Sequence, residues 1–241
     1  MFDMQDTKGI LYLIPSFLSP GAANSLAPDF ITTLTGIKHF FVENLRSARR
    51  FLKTVNQDIS IDDLQFSLTD THHPADLKCL RQWIKAGVSI GIISEAGYPC
   101  IADPGNVLVR EAHILGAAVV PLVGPNAMLM ALAASGFNGQ NFTFSGYVPV
   151  RNPERAQAIK ALEKKVLHEG ATQIFMETPY RNNALLQDIL THCHDNTMLC
   201  VAVDITAPDE FIRSQSIKDW KNSIPDIHKR PAVFLLGRNG K

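Results

Sequence analysis

Two periodicities alternate along the chain. Short apolar runs rich in β-branched and aromatic residues are followed by longer stretches in which apolar positions recur every three or four residues. That alternation predicts parallel strands with covering helices. GILYLIP at 9–15 and IKHFFVE at 37–43 read as the first strands, the second running into the helix NLRSARRFLKTV, whose Leu45, Ala48, Leu52 and Val55 share one face. PADLKCLRQWIKAG at 74–87 reads as a helix stopping at Gly87, VSIGIIS at 88–94 as a buried strand, and PGNVLVREAHILG at 104–116 as a helix. The last of these takes Asp103 as its N-cap, Pro104 as its first residue and Gly116 beyond its end. AAVVPLV at 117–123 is a strand and GPNAMLMALAASG at 124–136 a helix of small residues. NFTFSGYVP, TQIFMET, MLCVAVDIT and RPAVFLLG then supply strands, with NPERAQAIKALEKKVLHEG and YRNNALLQDILTHC as helices and a short polar excursion before the last strand. The expectation is an α/β protein of two α/β domains, 1–123 and 124–241, with a mainly parallel sheet in the first and a mixed sheet in the second.

The loop SEAGYPCIADPG at 94–105 follows the VSIGII strand directly. In open α/β sheets the ligand crevice lies outside the carboxyl ends of the strands, so this loop is expected to line it. Ala96 and Gly97 remove side-chain bulk and expose peptide groups to a ligand, while Pro99 and Pro104 stiffen the path. G-x-x-x-x-G-K-[ST] and G-x-G-x-x-G are both absent, which argues against nucleoside triphosphates and dinucleotides.

Charge and cysteine content narrow the classes further. Lysine plus arginine total 23, as do aspartate plus glutamate, so no global field draws the protein to nucleic acid or lipid, and any polyanion site is local. The four cysteines form neither a C-x-x-C pair nor a disulfide framework, which suits a reducing, cytoplasmic setting. The start MFDMQDTKG is unlike a secretory leader, and no apolar run approaches the roughly 20 residues of a membrane span.

Five segments, in order, carry a resemblance. SEAGYPCIADPG resembles the S-D-A-G-T-P-x-I-S-D-P-G signature of the tetrapyrrole methylase superfamily, in its ribosomal RNA small subunit methyltransferase I branch. VENLRSARRFL is similar to A-E-D-T-R-x-T-R-x-L-L, PLVGPNAMLMALAASG to P-x-P-G-P-S-A-x-x-x-A-L-x-x-S-G, FTFSGYVP to F-x-F-x-G-F-L-P, and IFMETPYR to I-F-Y-E-S-P-H-R. The resemblance implies a fold of two α/β lobes with S-adenosylmethionine in the cleft between them, no metal, and a homodimer. It implies cofactor contacts from Glu95, Ala96, Gly97, Tyr98, Ile101, Ala102 and Asp103 in the loop, from Asn126 and Ala127, and from Glu177 and Ala207 across the cleft. For Asp103, helix capping alone is a sufficient account; for Glu177 and Arg181, so is a surface salt bridge.

Methyl transfer from a sulfonium to a ribose 2′-hydroxyl needs positioning and a group to take the hydroxyl proton. Glu43, His72 and His73 are the candidate bases. Arg46, Arg49, Arg50 and Lys53 fall on or near one helix face, which on pattern alone is an ordinary solvated face and, given the resemblance, a grip for an RNA backbone. The chain departs from the family pattern at 16–21 (SFLSPG for I-G-N-L-x-D), at Asn44 in place of aspartate, and at Tyr98 in place of threonine. The leading reading is a methyltransferase acting on small-subunit ribosomal RNA, at the ribose 2′-hydroxyl of a cytidine. The alternatives are a methyltransferase of the same fold acting on a small molecule or protein, and a cofactor-binding module without transfer activity.

Overall fold

The computed structural model describes residues 8–20, 22, 26–70 and 72–238. Residues 1–7, from which an unlike-leader start was read, lie outside them, as do Gly21 of the departing loop and Thr71 of the histidine turn. The chain forms two compact units, Met1–Asn126 and Ala127–Lys241.

In the first unit the strands are β1 (Ile10–Ile14), β2 (His39–Val42), β3 (Gln65–Leu68), β4 (Ile90–Ile93) and β5 (Ala118–Pro121). They pair throughout in parallel, in the order β3-β2-β4-β1-β5. The helices are α1 (Pro28–Thr35), α2 (Leu45–Val55), α3 (Leu77–Lys85) and α4 (Asn106–Ile114). The connections through α1 and α2 step one way along the sheet and those through α3 and α4 step back, so right-handed crossovers place the two pairs on opposite faces. The cores agree: Phe30, Leu34, Ala48, Phe51 and Leu52 pack on Ile14, Phe40 and Val42, while Leu80, Ile84, Leu108 and Ala112 pack on Leu11, Phe41, Ile90 and Ile92. Each fully buried Phe or Leu contributes about 1.5–3 kcal/mol. At Gly91 a Cβ would lie 2.4 Å from Ile14 Cδ1 and 2.8 Å from Phe40 Cδ1, so the central strand admits no side chain there.

α4 begins later than its sequence suggests. Gly105, at φ 121°, is the N-cap and Asn106 the first helical residue, so Asp103 does not cap the helix. Gly116, at φ 68°, does lie beyond its end. The strand pattern also passes over α1, β3 and, in the second unit, the strand at Phe211–Ser216.

The second unit holds β6 (Phe142–Tyr147), β7 (Thr172–Met176), β8 (Met198–Val203), β9 (Phe211–Ser216) and β10 (Ala232–Gly237), ordered β6-β7-β10-β8-β9. Only the β6–β7 pairing is parallel, so the sheet is mixed as expected. α6 (Glu154–Glu169), α7 (Asn182–His192) and α8 (Ile217–Trp220) cover one face around Ile159, Leu185, Ile189, Phe234 and the fully buried Trp220. α5 (Ala127–Ser135) belongs to this unit, tied to β9 where Ser214 Oγ donates to the Ser135 carbonyl at 2.7 Å. Because β10 runs antiparallel to β7 and β8, the end of β7, the end of β8 and the start of β10 share one sheet edge. Among the described residues no helix is long and apolar enough to cross a membrane.

Candidate functional site

At the carboxyl edge of the first sheet, the connection leaving β4 heads for the face opposite to those leaving its neighbours β1 and β2. Divergent connections open a crevice at that point. The loop 94–105 occupies it. Gly97 (φ 74°), Cys100 (66°), Ala102 (65°) and Gly105 (121°) all adopt left-handed or positive φ, two of them without glycine's freedom. Strain of that kind costs about 1–3 kcal/mol per non-glycine residue and persists only where its surroundings enforce it. Here the Ser16 amide and the Ser94 hydroxyl both donate to the Gly97 carbonyl, at 2.8 and 3.2 Å. A Cβ on Gly97 would meet Leu18 Cδ2 at 2.8 Å and would be strained at φ 74°, so glycine favours the close approach of the loops after β1 and β4.

Glu43 is the first residue after β2. Burial pushes its carboxyl up to about 8, reinforced by the negative charges of Asp103, Glu95 and Asp70 and only partly relieved by the Glu95 amide. Asp103, freed from any capping role, is pushed up to about 6 by burial and by Glu95. Glu95 is exposed and accepts from Ser47 Oγ at 3.2 Å. Among the described residues none of these three carboxylates joins a salt bridge. Two buried hydroxyls on the same edge, Ser16 Oγ and Thr69 Oγ1, have no hydrogen-bond partner. Neither stands out in the sequence, since lone serines and threonines at strand ends are unremarkable, and a serine in the first turn of a helix, like Ser47, is equally so.

The remaining candidates divide. Ala96, Ile101 and Ala102 are exposed on the loop, and Tyr98 is half-buried, its hydroxyl pushed up by burial and then by Cys100. Burial, then the charges of Asp103 and Glu43, raises the Cys100 thiol to about 11, which leaves it a poor nucleophile. Asn126 and Ala127 are partly exposed at the boundary of the two units. Arg46 is exposed in the first turn of α2. Asn44 caps that helix, accepting from the Arg46 and Ser47 amides at 2.9 and 3.1 Å, so asparagine keeps the cap while removing a charge beside Glu43. His72 is exposed, and its amide donates to Asp70 Oδ1 at 2.7 Å. His73, not His72, pairs its ring with Asp70, at 2.9 Å.

In the second unit Glu177 follows β7. Its side chain is fully buried, so its pairing with Arg181 at 2.6 Å is no surface salt bridge, contrary to the simpler account. Burial alone would raise this carboxyl; the Arg181 hydrogen bond, the Thr178 amide and the Arg155 charge outweigh it and hold the carboxyl below its ordinary value. Ala207 closes the turn after β8, its amide donating to the Asp204 carbonyl at 2.8 Å, with Asp204 and Thr206 at positive φ. Among the described residues no group of three or more His, Cys, Asp or Glu is placed to hold a metal.

The solved structure of the methyltransferase CobJ superimposes on 96% of the chain and 94% of its own, with a TM-score of 0.60 at 18% identity. The two-sheet α/β fold is therefore shared with that methyltransferase. No family model matches the sequence. Among curated proteins, ribosomal RNA small subunit methyltransferase I of Vibrio cholerae is 30% identical over 229 residues, covering 94% of this chain and 76% of that protein. Its Bacillus subtilis counterpart is 30% identical over 224 residues, covering 92% and 73%. The chain belongs to this family of methyltransferases.

Proposed function

We propose that the protein is an S-adenosylmethionine-dependent methyltransferase that modifies small-subunit ribosomal RNA, at the ribose 2′-hydroxyl of a cytidine. The observation that carries this is the group of three carboxylates without cationic partners, Glu43, Glu95 and Asp103, around the strained loop at the switch of the first sheet. Such a donor set suits a cationic ligand, and the half-buried carboxyls stay partly protonated until positive charge is supplied. S-adenosylmethionine, when bound, supplies a methyl group on a positively charged sulfur.

The residues of this chain divide the remaining work. Glu95, Ala96, Gly97, Tyr98, Ile101, Ala102 and Asp103, with Asn126, Ala127, Glu177 and Ala207, are the proposed cofactor contacts, the small residues presenting peptide groups. A Glu43 carboxylate oxygen takes the hydroxyl proton, a role suited to a group titrating near the working pH. His72 is the alternative base, favoured less by its exposure. Arg46 lies on the α2 face that would hold the phosphodiester beside Glu43. The protein is proposed to work in the cytoplasm as a homodimer; a monomer mass in light scattering would remove that part.

The test is transfer of labelled methyl to small ribosomal subunits from cells lacking this protein. Label in the ribosomal RNA at a ribose oxygen is expected. Label only in small molecules or protein would replace the acceptor, and no transfer together with normal binding of the donor would leave a binding module.

A further inference from the structure

The sheet edge shared by β7, β8 and β10 carries an aromatic group that folding does not use. Tyr180 stands in the 3-10 turn Pro179–Arg181, 69% exposed. His228 meets its ring edge-on at 6.1 Å between centroids, and Lys229 Nζ lies 5.7 Å from the ring centroid. A tyrosine kept this exposed contributes little apolar burial.

The two turns that present these groups are held unusually firmly. The Lys229 amide donates to the Pro179 carbonyl at 3.0 Å, and Asn182 Nδ2 donates to the Arg230 carbonyl at 2.6 Å. Asn183 accepts from the Ile227 amide at 2.9 Å and donates to Asp226 at 2.7 Å. Asp226 also accepts from the His228 amide at 3.0 Å. Lys229 itself is held at φ 61°, outside the range most side chains prefer. Arg230 is engaged by Asp204 and Asp209, whereas Lys229 joins no salt bridge among the described residues. The result is a solvent-facing ring on a braced turn, with a cation beside it that is engaged by the ring and by no carboxylate among the described residues.

We propose that Tyr180, with His228 and Lys229, is a stacking platform for an unpaired base of the RNA substrate, Lys229 meeting an adjacent phosphate. Stacking on an aromatic face is open to any base, since every base has a π-face, and it needs an exposed ring beside a cationic track for the backbone. A protein partner is the less favoured occupant, because the exposed ring is flanked directly by His228 and Lys229, whereas the core of a protein interface is depleted of charge. This inference rests on the RNA reading above.

The experiment compares Tyr180→Ala, Tyr180→Phe, Tyr180→Trp and Lys229→Ala in the full-length chain. Two readouts are used: KM for unmodified small subunits, and fluorescence anisotropy with a mixed-sequence single-stranded RNA oligonucleotide. Tyr180→Ala is expected to raise KM and the RNA Kd about tenfold, with kcat within twofold and donor affinity unchanged, while phenylalanine and tryptophan restore binding. Lys229→Ala is expected to reduce the salt dependence of RNA binding by about one counterion. Indifference of both readouts to Tyr180→Ala would overturn the platform, as would a parallel loss of donor affinity or an equal loss in Tyr180→Phe. Wild-type protein that binds the oligonucleotide through Tyr180 but methylates no RNA would refute the proposed reaction and leave the platform standing. Methylation of subunits with a KM blind to Tyr180 would refute the platform alone.

Discussion

Glu43 and Glu177 hold equivalent places in their units. Each is the first residue after the carboxyl end of a strand, β2 in one sheet and β7 in the other. Their surroundings drive them in opposite directions. Glu43 is half-buried among other carboxylates and is pushed up to about 8. Glu177 is less exposed to solvent, yet held below its ordinary value, because an arginine, an amide and a second arginine outweigh desolvation. Depth of burial therefore does not decide the sign; the partners do. A carboxyl whose ionisation is left unresolved is available for chemistry or for a cation, and one locked as an anion is a structural brace.

The sharpest way to break this comparison is to neutralise the first of the pair. Glu43→Gln keeps shape and hydrogen bonding but removes the proton acceptor, so turnover on small subunits should fall about 100-fold, equivalent to about 2.7 kcal/mol. Donor affinity at pH 7 should change less than about threefold, since Glu43 is mostly neutral there in the free protein. Unaltered turnover in steady-state assays would strike Glu43 from the mechanism.

The complementary change is Arg181→Met, which should be felt in stability. Removing the partner leaves the buried Glu177 carboxylate with only the more distant Arg155 charge and the Thr178 amide. Breaking a pair with a buried carboxylate is destabilising, and the 39% exposure of the Arg181 side chain moderates the effect, so a clear but partial drop in the denaturant midpoint is expected. The sign with pH follows from the lowered carboxyl. Its stabilisation is complete above the ordinary glutamate range and is lost as pH falls through the folded value, so the difference between wild type and variant should be full at pH 7 and shrink in acid. Denaturant midpoints across that range measure it, and a gap that stays constant with pH would show that Arg181 acts through packing.

These contrasts were unevenly visible in the sequence. Both sheets, their parallel and mixed character and most strands followed from apolar periodicity, because buried strands such as β4 are apolar at every position. β3 and β9 escaped because they are edge strands with polar residues at Gln65, Ser67, Arg213 and Gln215, where one side of the ladder meets solvent. α1 escaped because its eight residues carry three threonines and only a short apolar stripe. The loop 94–105 was legible as a ligand loop through its small residues, but Asp103 was misread: Asp-Pro satisfies the rules for a helix start, and the positive φ of Gly105, which shifts that start by two residues, leaves no mark in composition. The opposite states of Glu43 and Glu177 were not legible at all, since they depend on charges brought together from the loops after β3 and β4, or from α6 and the 3-10 turn after β7.

The subtlest consequence concerns binding rather than catalysis. If the three carboxylates receive a cation, occupancy must lower the carboxyl values of Glu43 and Asp103 from about 8 and about 6, and protons must leave on binding. Affinity for S-adenosylmethionine should then rise with pH between about 6 and 8, by roughly fivefold to tenfold, because the form that binds best is increasingly populated. S-adenosylhomocysteine has the same amino-acid tail but a neutral sulfur, so the tail's own ionisation cancels in the ratio and the product should show a much flatter profile. Glu43→Gln should remove the upper part of the donor's slope and leave the lower part, which belongs to Asp103. Calorimetry in two buffers of different ionisation heat reads the released protons directly. Parallel pH profiles for donor and product would mean that the sulfur's charge does not reach Glu43, and the distinction drawn between the two glutamates would then have no bearing on the ligand.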